Sequence, residues 1–309
     1  HMHRAIAFGN QVGILPHPST SARPKRPNPM ASASASASAS RSAAVVVSDL
    51  DWTMVNHNQS DHHTDLKAFN ALWESTFAGN PQSRLIFSSG RSPELYQQLA
   101  DEVPLLKPDV LVCSVGTEMI FLRDPSQHEI HDAWEAWLNG EGWDRDMVER
   151  VVDEIKGTCG DVSVAKQQDS EQRPHKVSYK VGGEAGHVQA FTGALADRLE
   201  TQHGMKVNVI YSGGQDLDVL PARASKGKAL RFLLDRMPDH PPCVVCGDSG
   251  NDIELFEVEG VYGCIVGNAH AELKEWYEKH GRDNDKVHFC EKEGPAGIVE
   301  TLGFYKLYV

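Results

Sequence analysis

No stretch of this 309-residue chain approaches the roughly 20 consecutive apolar residues of a membrane-spanning helix. A basic excess is missing too. Thirty Lys and Arg stand against 43 Asp and Glu, a formal charge of −13. That argues against a nucleic-acid binder, which needs a basic face, and it requires any anionic substrate to be drawn in by local charge or a metal. Cysteine is sparse. Cys113, Cys159, Cys243, Cys246, Cys264 and Cys290 are scattered through apolar or mixed contexts, which suits buried thiols in a reduced compartment and not a disulfide framework. Cys243 and Cys246 form a C-x-x-C, but "PCVVCGD" reads as a strand, where positions i and i+3 face opposite sides, and one pair cannot complete a tetrahedral zinc site. There is no internal repeat. Acidic residues are absent from residues 3 to 44, which hold several Arg, many Ser and Pro and the tract "ASASASASAS". Such a segment cannot build a core and is expected to be disordered, either as a low-complexity tail or as a plastid-type transit peptide. His1 and Met2 read as an expression scar, and Met30 as an alternative start.

What is present begins at Val45. "AAVVVSDL" reads as a buried strand, "TDLKAFNALWEST" as an amphipathic helix, "SRLIFSSG" as a strand, "SPELYQQLADEV" as a helix and "DVLVCSVGTEMIF" as a strand. Strand–helix alternation with continuously apolar strands predicts an α/β fold with a parallel, doubly wound sheet. Residues 126 to 215 differ. They combine the Trp-rich "AWEAWLNGEGW", two helical stretches and the alternating "HKVSYKV", and so predict an α+β insertion. The α/β pattern resumes with "SKGKALRFLLDRM", "CVVCGD" and "GNDIELFEVE". The expected division is a core of residues 45–125 and 216–309 with a cap of residues 126–215.

The apolar run "VVVSDLDWT" ends in two carboxylates. On a strand, i and i+2 share a side, so Asp49 and Asp51 converge at the carboxyl end of the first strand, the edge where open α/β sheets bind ligands. Two carboxylates so close repel unless a cation or shared proton intervenes. "GDSGND" puts Asp248 at the end of another buried strand, with Asp252 just beyond. Hard oxygen donors converging at one edge describe a Mg²⁺ site. Ser89 and Gly90 in "FSSGR" offer a short hydroxyl and open amides to phosphate oxygens. Lys226 opens a helix, where the macrodipole opposes a cation unless an anion is near. A carboxylate nucleophile can take up a phosphoryl group, and Asp51 can protonate the leaving alcohol and later activate water. Each motif alone is ambiguous; the order DxDxT, S-G-R, Lys-opened helix, GDSxND carries the reading.

That order resembles the haloacid dehalogenase superfamily of phosphatases, in the branch whose cap lies between the second and third motifs (the C2 type). Within it, "FNALWES", "FSSGRSPELY", "SVGTEM", "EQRPHKVSYKV", "YSGGQDLDVLP", "CGDSGNDIELF" and "GPAGIVETLGFYK" resemble the sucrose-phosphatase family over residues 45 to 308. The resemblance implies hydrolysis of sucrose 6-phosphate, with Asp49 as nucleophile and Asp51 as general acid/base. Ser89 would bind phosphate in place of the usual threonine, with Gly90 beside it. Lys226 would pair with the phosphoryl group, and Asp248 would bind Mg²⁺ together with Asp49 and the Asp51 carbonyl. Asp252 would support the metal, with Ser249 and Asn251 shaping the phosphate loop. Trp52 would narrow the mouth. For the sugar, the polar candidates in and beside the cap are Glu118, Arg173, His175, Lys176, Asp216 and Asp218. The resemblance leaves a phosphatase for mannosyl- or glucosylglycerate phosphates open, as well as a silent module that binds a sucrose-phosphate synthase. It implies a cytosolic enzyme, against the plastid suggested by the N-terminal segment.

Overall fold

A computed structural model describes residues 42–58, 62–212 and 214–308. The expected disorder and targeting role of the N-terminal segment fall outside them, Ser42 to Ala44 excepted. The core is a seven-stranded sheet. Its strands are β1 (Val45–Ser48), β2 (Arg84–Ser88), β3 (Val110–Cys113) and β4 (Glu118–Phe121), then β9 (Cys243–Gly247), β10 (Tyr262–Ile265) and β11 (Val287–Phe289), in the order β11-β10-β9-β1-β2-β3-β4. Every pairing is parallel except β3 with β4. The central strands β1, β3 and β9 are buried at every residue and mostly apolar because both faces are covered. Val45, Val47, Ile86, Val110, Cys243 and Val245 face one layer, while Val46, Leu85, Phe87, Leu111, Val244 and Cys246 face the other. Cys243 and Cys246 therefore lie on opposite faces, as strand geometry requires.

Helices close both layers. On the second face α1 (Thr64–Leu72) contributes Leu66 and Phe69, and α2 (Pro93–Glu102), capped by Ser92, contributes Tyr96 and Leu99. On the first face α3 (His128–Leu138) contributes Trp134 and Leu138. Beyond it lies a second body, with α4 (Arg145–Ile155), β5 (Val162–Lys166), β6 (Val177–Gly183), α5 (Ala185–His203), β7 (Val207–Ser212) and β8 (Asp216–Pro221). Its four strands form an antiparallel sheet in the order β5-β6-β8-β7, and Val177, Tyr179, Leu217 and Val219 pack with Val148, Val152, Phe191 and Leu195 of the two helices. The core then continues with α6 (Lys226–Leu234), α7 (Ile253–Phe256), α8 (Ala271–Trp276) and α9 (Gly294–Phe304).

Three expectations are corrected. The cap sheet takes in β8, so the boundary expected after residue 215 falls one strand too early; β8 pairs with both β6 and β7. At the other end α3 belongs to the core helix layer, since Trp134 packs against Phe232 of α6 at 4.9 Å between ring centroids. The chain enters and leaves the cap side by side, with the Arg223 guanidinium 4.4 Å from the Trp137 ring centroid. "DVLVCSVGTEMIF" is not one strand. Ser114 and Val115 have φ of 53° and 58°, and the chain reverses there into the antiparallel β4. Left-handed backbone at a β-branched residue is strained. Gly116, at φ 88°, is required there, because a Cβ would lie 2.3 Å from the Ser225 carbonyl oxygen.

Candidate active site

β9, β1 and β2 are adjacent and parallel, so the residues that follow them meet at one edge. Asp49 follows β1 and is almost fully buried, and Asp248 follows β9 and is buried as well. Ser225 caps α6 by accepting from the Lys228 amide at 3.1 Å, which leaves Lys226 as the first helical residue, aimed inward. Its ammonium donates to Asp49 Oδ1 at 2.7 Å, Asn251 Oδ1 at 2.9 Å and Asp252 Oδ1 at 2.7 Å. Burial works against that charge, but Asp252 and Asp49 outweigh it and hold Lys226 protonated. The other oxygen of Asp252 accepts from the amides of Asp248 and Ser249, each at 3.1 Å. Asp252 is thus spent on holding Lys226 and the 248–252 turn in place.

Thr53 donates to Asp248 Oδ1 at 2.8 Å. Burial, reinforced by the Asp252 charge, pushes Asp248 up to about 6 despite that bond and Lys226. Asp49 is also raised well above the usual carboxylate range, first by burial and then by Asp252, Asp248 and Asp51, with Lys226 opposing. One buried ammonium cannot neutralise Asp49, Asp248 and Asp252, whose nearest oxygens all lie within 4.8 Å of one another. The chemistry of this donor set fits a hard divalent cation: all oxygen, surplus negative charge, and proton affinities raised by mutual repulsion.

Asp51 sits differently. Arg91 donates to it in two-point fashion, from Nε to Oδ2 and from Nη2 to Oδ1, both at 2.8 Å, and the His57 ring nitrogen lies 2.7 Å from Oδ1. Burial would raise its pKa, but the bonds to Arg91 and His57 together hold it well below the usual range. Ser89, fully buried, accepts the Arg91 amide on its hydroxyl at 3.1 Å. The left-handed turn secures this loop, because the amides of Ser114 and Val115 donate to the Arg91 and Ser89 carbonyls at 2.9 and 3.0 Å.

A cavity of about 300 Å³ lies between this edge and the cap. Asp49, Asp51, Trp52, Gly90, Arg91 and Asp248 line it from the core, and Gln167, Glu171, Asp216 and Asp218 from the cap. Trp52 is therefore where a narrowing of the mouth was expected. Of the six sugar candidates, only Asp216 and Asp218 line the cavity. Lys176 is buried beneath it, 2.5 Å from Glu171 Oε2 and 3.7 Å from Asp218 Oδ1. Glu118 and Arg173 pair with each other, at 2.7 and 2.9 Å. His175 is buried and bonds to Asn139 at 2.9 Å; burial lowers its pKa. Sequence reasoning missed Arg91, His57 and Glu171. "SGR" did carry Arg91, but nothing in the sequence marked Asp51 as its partner.

Comparison with known proteins bears on the same segment. A profile of the Sucrose-6F-phosphate phosphohydrolase family matches residues 42–306. Sucrose-phosphatase 1 of Nicotiana tabacum is 42% identical over 267 residues, covering 85% of this chain and 59% of the tobacco protein, so this chain spans about three-fifths of that relative's length. Mannosylfructose-phosphate phosphatase of Agrobacterium fabrum is 31% identical, with 84% of this chain and 96% of that one covered. Among solved structures, the sucrose-phosphatase of Synechocystis sp. PCC6803, in complex with sucrose and phosphate, superimposes with a TM-score of 0.69 at 29% identity, over 86% of this chain and 98% of that one. With the profile spanning nearly every described residue, the chain belongs to the sucrose-6F-phosphate phosphohydrolase family.

Proposed function

We propose that the protein is a Mg²⁺-dependent phosphatase that hydrolyses sucrose 6-phosphate to sucrose and phosphate through a phosphorylated Asp49. The observation that carries this reading is the meeting of Asp49, Asp51, Asp248 and Lys226 at one sheet edge beneath a polar cap face. An oxygen of Asp49 attacks phosphorus, and the sugar oxygen leaves with a proton from Asp51. Water, deprotonated by Asp51, then attacks phosphorus and frees Asp49. In the resting arrangement Asp51 is held ionised by Arg91, which suits the second step. A phosphate dianion in the cavity competes for Arg91 and raises the proton affinity of Asp51, which suits the first.

Mg²⁺, held by Asp49, Asp248 and the Asp51 carbonyl, would neutralise charge on the phosphoryl oxygens. Lys226 offsets the charge of Asp49, Gly90 and Asn251 line the cavity where the phosphate would sit, and Ser89, buried beside them, holds the Arg91 amide. Asp216 and Asp218, two apart on β8, offer carboxylates to sugar hydroxyls. The likeness to a mannosylfructose-phosphate phosphatase supports a second reading, a phosphate ester of another fructose-containing disaccharide. The synthase partner suggested by the sequence would be an enzyme that makes the ester, and co-purification would test it. The deciding experiment is phosphate release across a panel of sugar phosphates with and without Mg²⁺. Preference for sucrose 6-phosphate that vanishes with EDTA is expected. Preference for a monosaccharide phosphate, or full turnover after chelation, would overturn the reading.

A further inference from the structure

Between β5 and β6 the cap sends the segment 169–176 down to the core. Arg173 donates from Nε and Nη2 to the two oxygens of Glu118 on β4, at 2.7 and 2.9 Å. From Nη1 it also reaches both oxygens of Glu94 on α2, at 2.9 and 3.0 Å. Glu171 accepts the Ser92 amide at 3.0 Å, and Lys176 donates to the Gly90 carbonyl at 3.3 Å.

We infer that this segment is a latch that seats the cap over the phosphate site, and that Arg173 is a positioning residue for turnover of a large, cap-bound substrate. The inference rests on the phosphatase reading for its substrate and on geometry for the latch itself. Three observations support it. Arg173 is spent on core carboxylates and stays outside the cavity, so its charge serves the joint between the two bodies and not the sugar. The side chains of Arg173 and Glu118 are about one-fifth exposed and that of Glu94 about half, so these bonds lie at the water-accessible rim of the joint, where separated partners can be rehydrated. The buried Lys176–Glu171 pair, by contrast, would be costly to open. Last, Gly90 and Ser92 are the neighbours of Arg91, which holds Asp51. The cap therefore grips the backbone on either side of the residue that sets the acid/base carboxylate.

The cavity of about 300 Å³ takes its walls from both bodies, so a disaccharide phosphate is held from both sides only while the cap is seated on the core. A weakened latch lowers the closed population and raises the apparent KM in proportion.

The test breaks the same bonds from each side, with Arg173→Gln in the cap and Glu94→Gln with Glu118→Gln in the core. Kinetics are read on sucrose 6-phosphate and on p-nitrophenyl phosphate, which needs only the core. Cap position is read as the distance between spin labels at Cys159, the one cysteine of the six not buried, and at Glu259→Cys on the core surface. Both variants are expected to lose about tenfold in kcat/KM on sucrose 6-phosphate, chiefly through KM. Turnover of the aryl ester should hold, the label distances should shift longer, and Arg173→Lys should recover part of the loss. Unchanged distances in both variants, or equal losses on both substrates, would overturn the latch. Should the wild-type protein leave sucrose 6-phosphate intact, the substrate reading falls, while the label distances still decide the latch. Should Arg173→Gln fail to fold, the core-side variant decides it.

Discussion

The two sheets of this molecule solve different problems. Core strands β1, β3 and β9 are buried at every residue. They place functional groups only where they end, so Asp49 and Asp248 are the first charged residues after the apolar runs of β1 and β9. The cap sheet has one dry face and one wet one. Leu217 and Val219 of β8 pack on the cap helices, while Asp216 and Asp218 alternate with them toward the cavity. On the proposed reading, chemistry sits at strand ends, where a rigid edge fixes it, and recognition along a strand, where successive side chains can vary without disturbing a core.

Variants that separate the two roles should rank accordingly. Asp49→Asn should abolish turnover of every ester while the fold is kept, since the amide is close in shape but cannot attack phosphorus; residual activity near wild type would misplace the nucleophile. Arg91→Gln should cost about 10²-fold or more on sugar and aryl phosphates alike, because it unseats the acid/base group of the core. A loss confined to sugar phosphates would move Arg91 to the recognition side.

Lys176→Met tests the cap in the same way. Removing the partner of buried Glu171 should destabilise by about 3–5 kcal/mol, visible as a lower Tm. If the fold survives, losing the Lys176 bond to the Gly90 carbonyl should unseat the cap and cost sucrose 6-phosphate about tenfold in kcat/KM, with a smaller loss on an aryl ester.

A smaller effect concerns pH. Burial and like charge raise the pKa of Asp49 and Asp248, the latter to about 6. Their ionisation therefore opposes folding above the folded pKa, and the penalty fades as pH falls toward the unfolded value. Mg²⁺ removes that penalty only where the carboxylates are ionised. The Tm increase on adding Mg²⁺ should thus be larger at about pH 7.5 than at about pH 5, and an equal increase would place the metal elsewhere. Smallest of all, removing residues 1–41, which lie outside the family match, should leave kcat/KM within about twofold, as expected of a segment too polar to build a core.

The core was legible in the sequence because a parallel strand must be apolar on both faces, so a sudden Asp announces its end. "VVVSD" and "VVCGD" gave Asp49 and Asp248 that way. Partners were not legible. Nothing local to Arg91 names Asp51, and nothing in "EQRPHK" says that Arg173 turns away from the sugar toward Glu94 and Glu118. The cap boundary failed for a related reason. "DLDVLP" reads equally well as a strand of either sheet, and only its pairing with β6 and β7 assigns it. The turn at Ser114–Gly116 was hidden because its sequence, with Val115 in a left-handed conformation, runs against local preference.

The stacking of Arg223 on Trp137 has a consequence for how such a chain can be rebuilt. The strand of chain that rises into the cap and the one that descends from it stand next to each other, so the intervening residues form a cassette with its two ends together. Another binding module can be spliced in at these two ends without asking the catalytic sheet to rearrange, provided it again holds the Gly90–Ser92 backbone that the cap contacts.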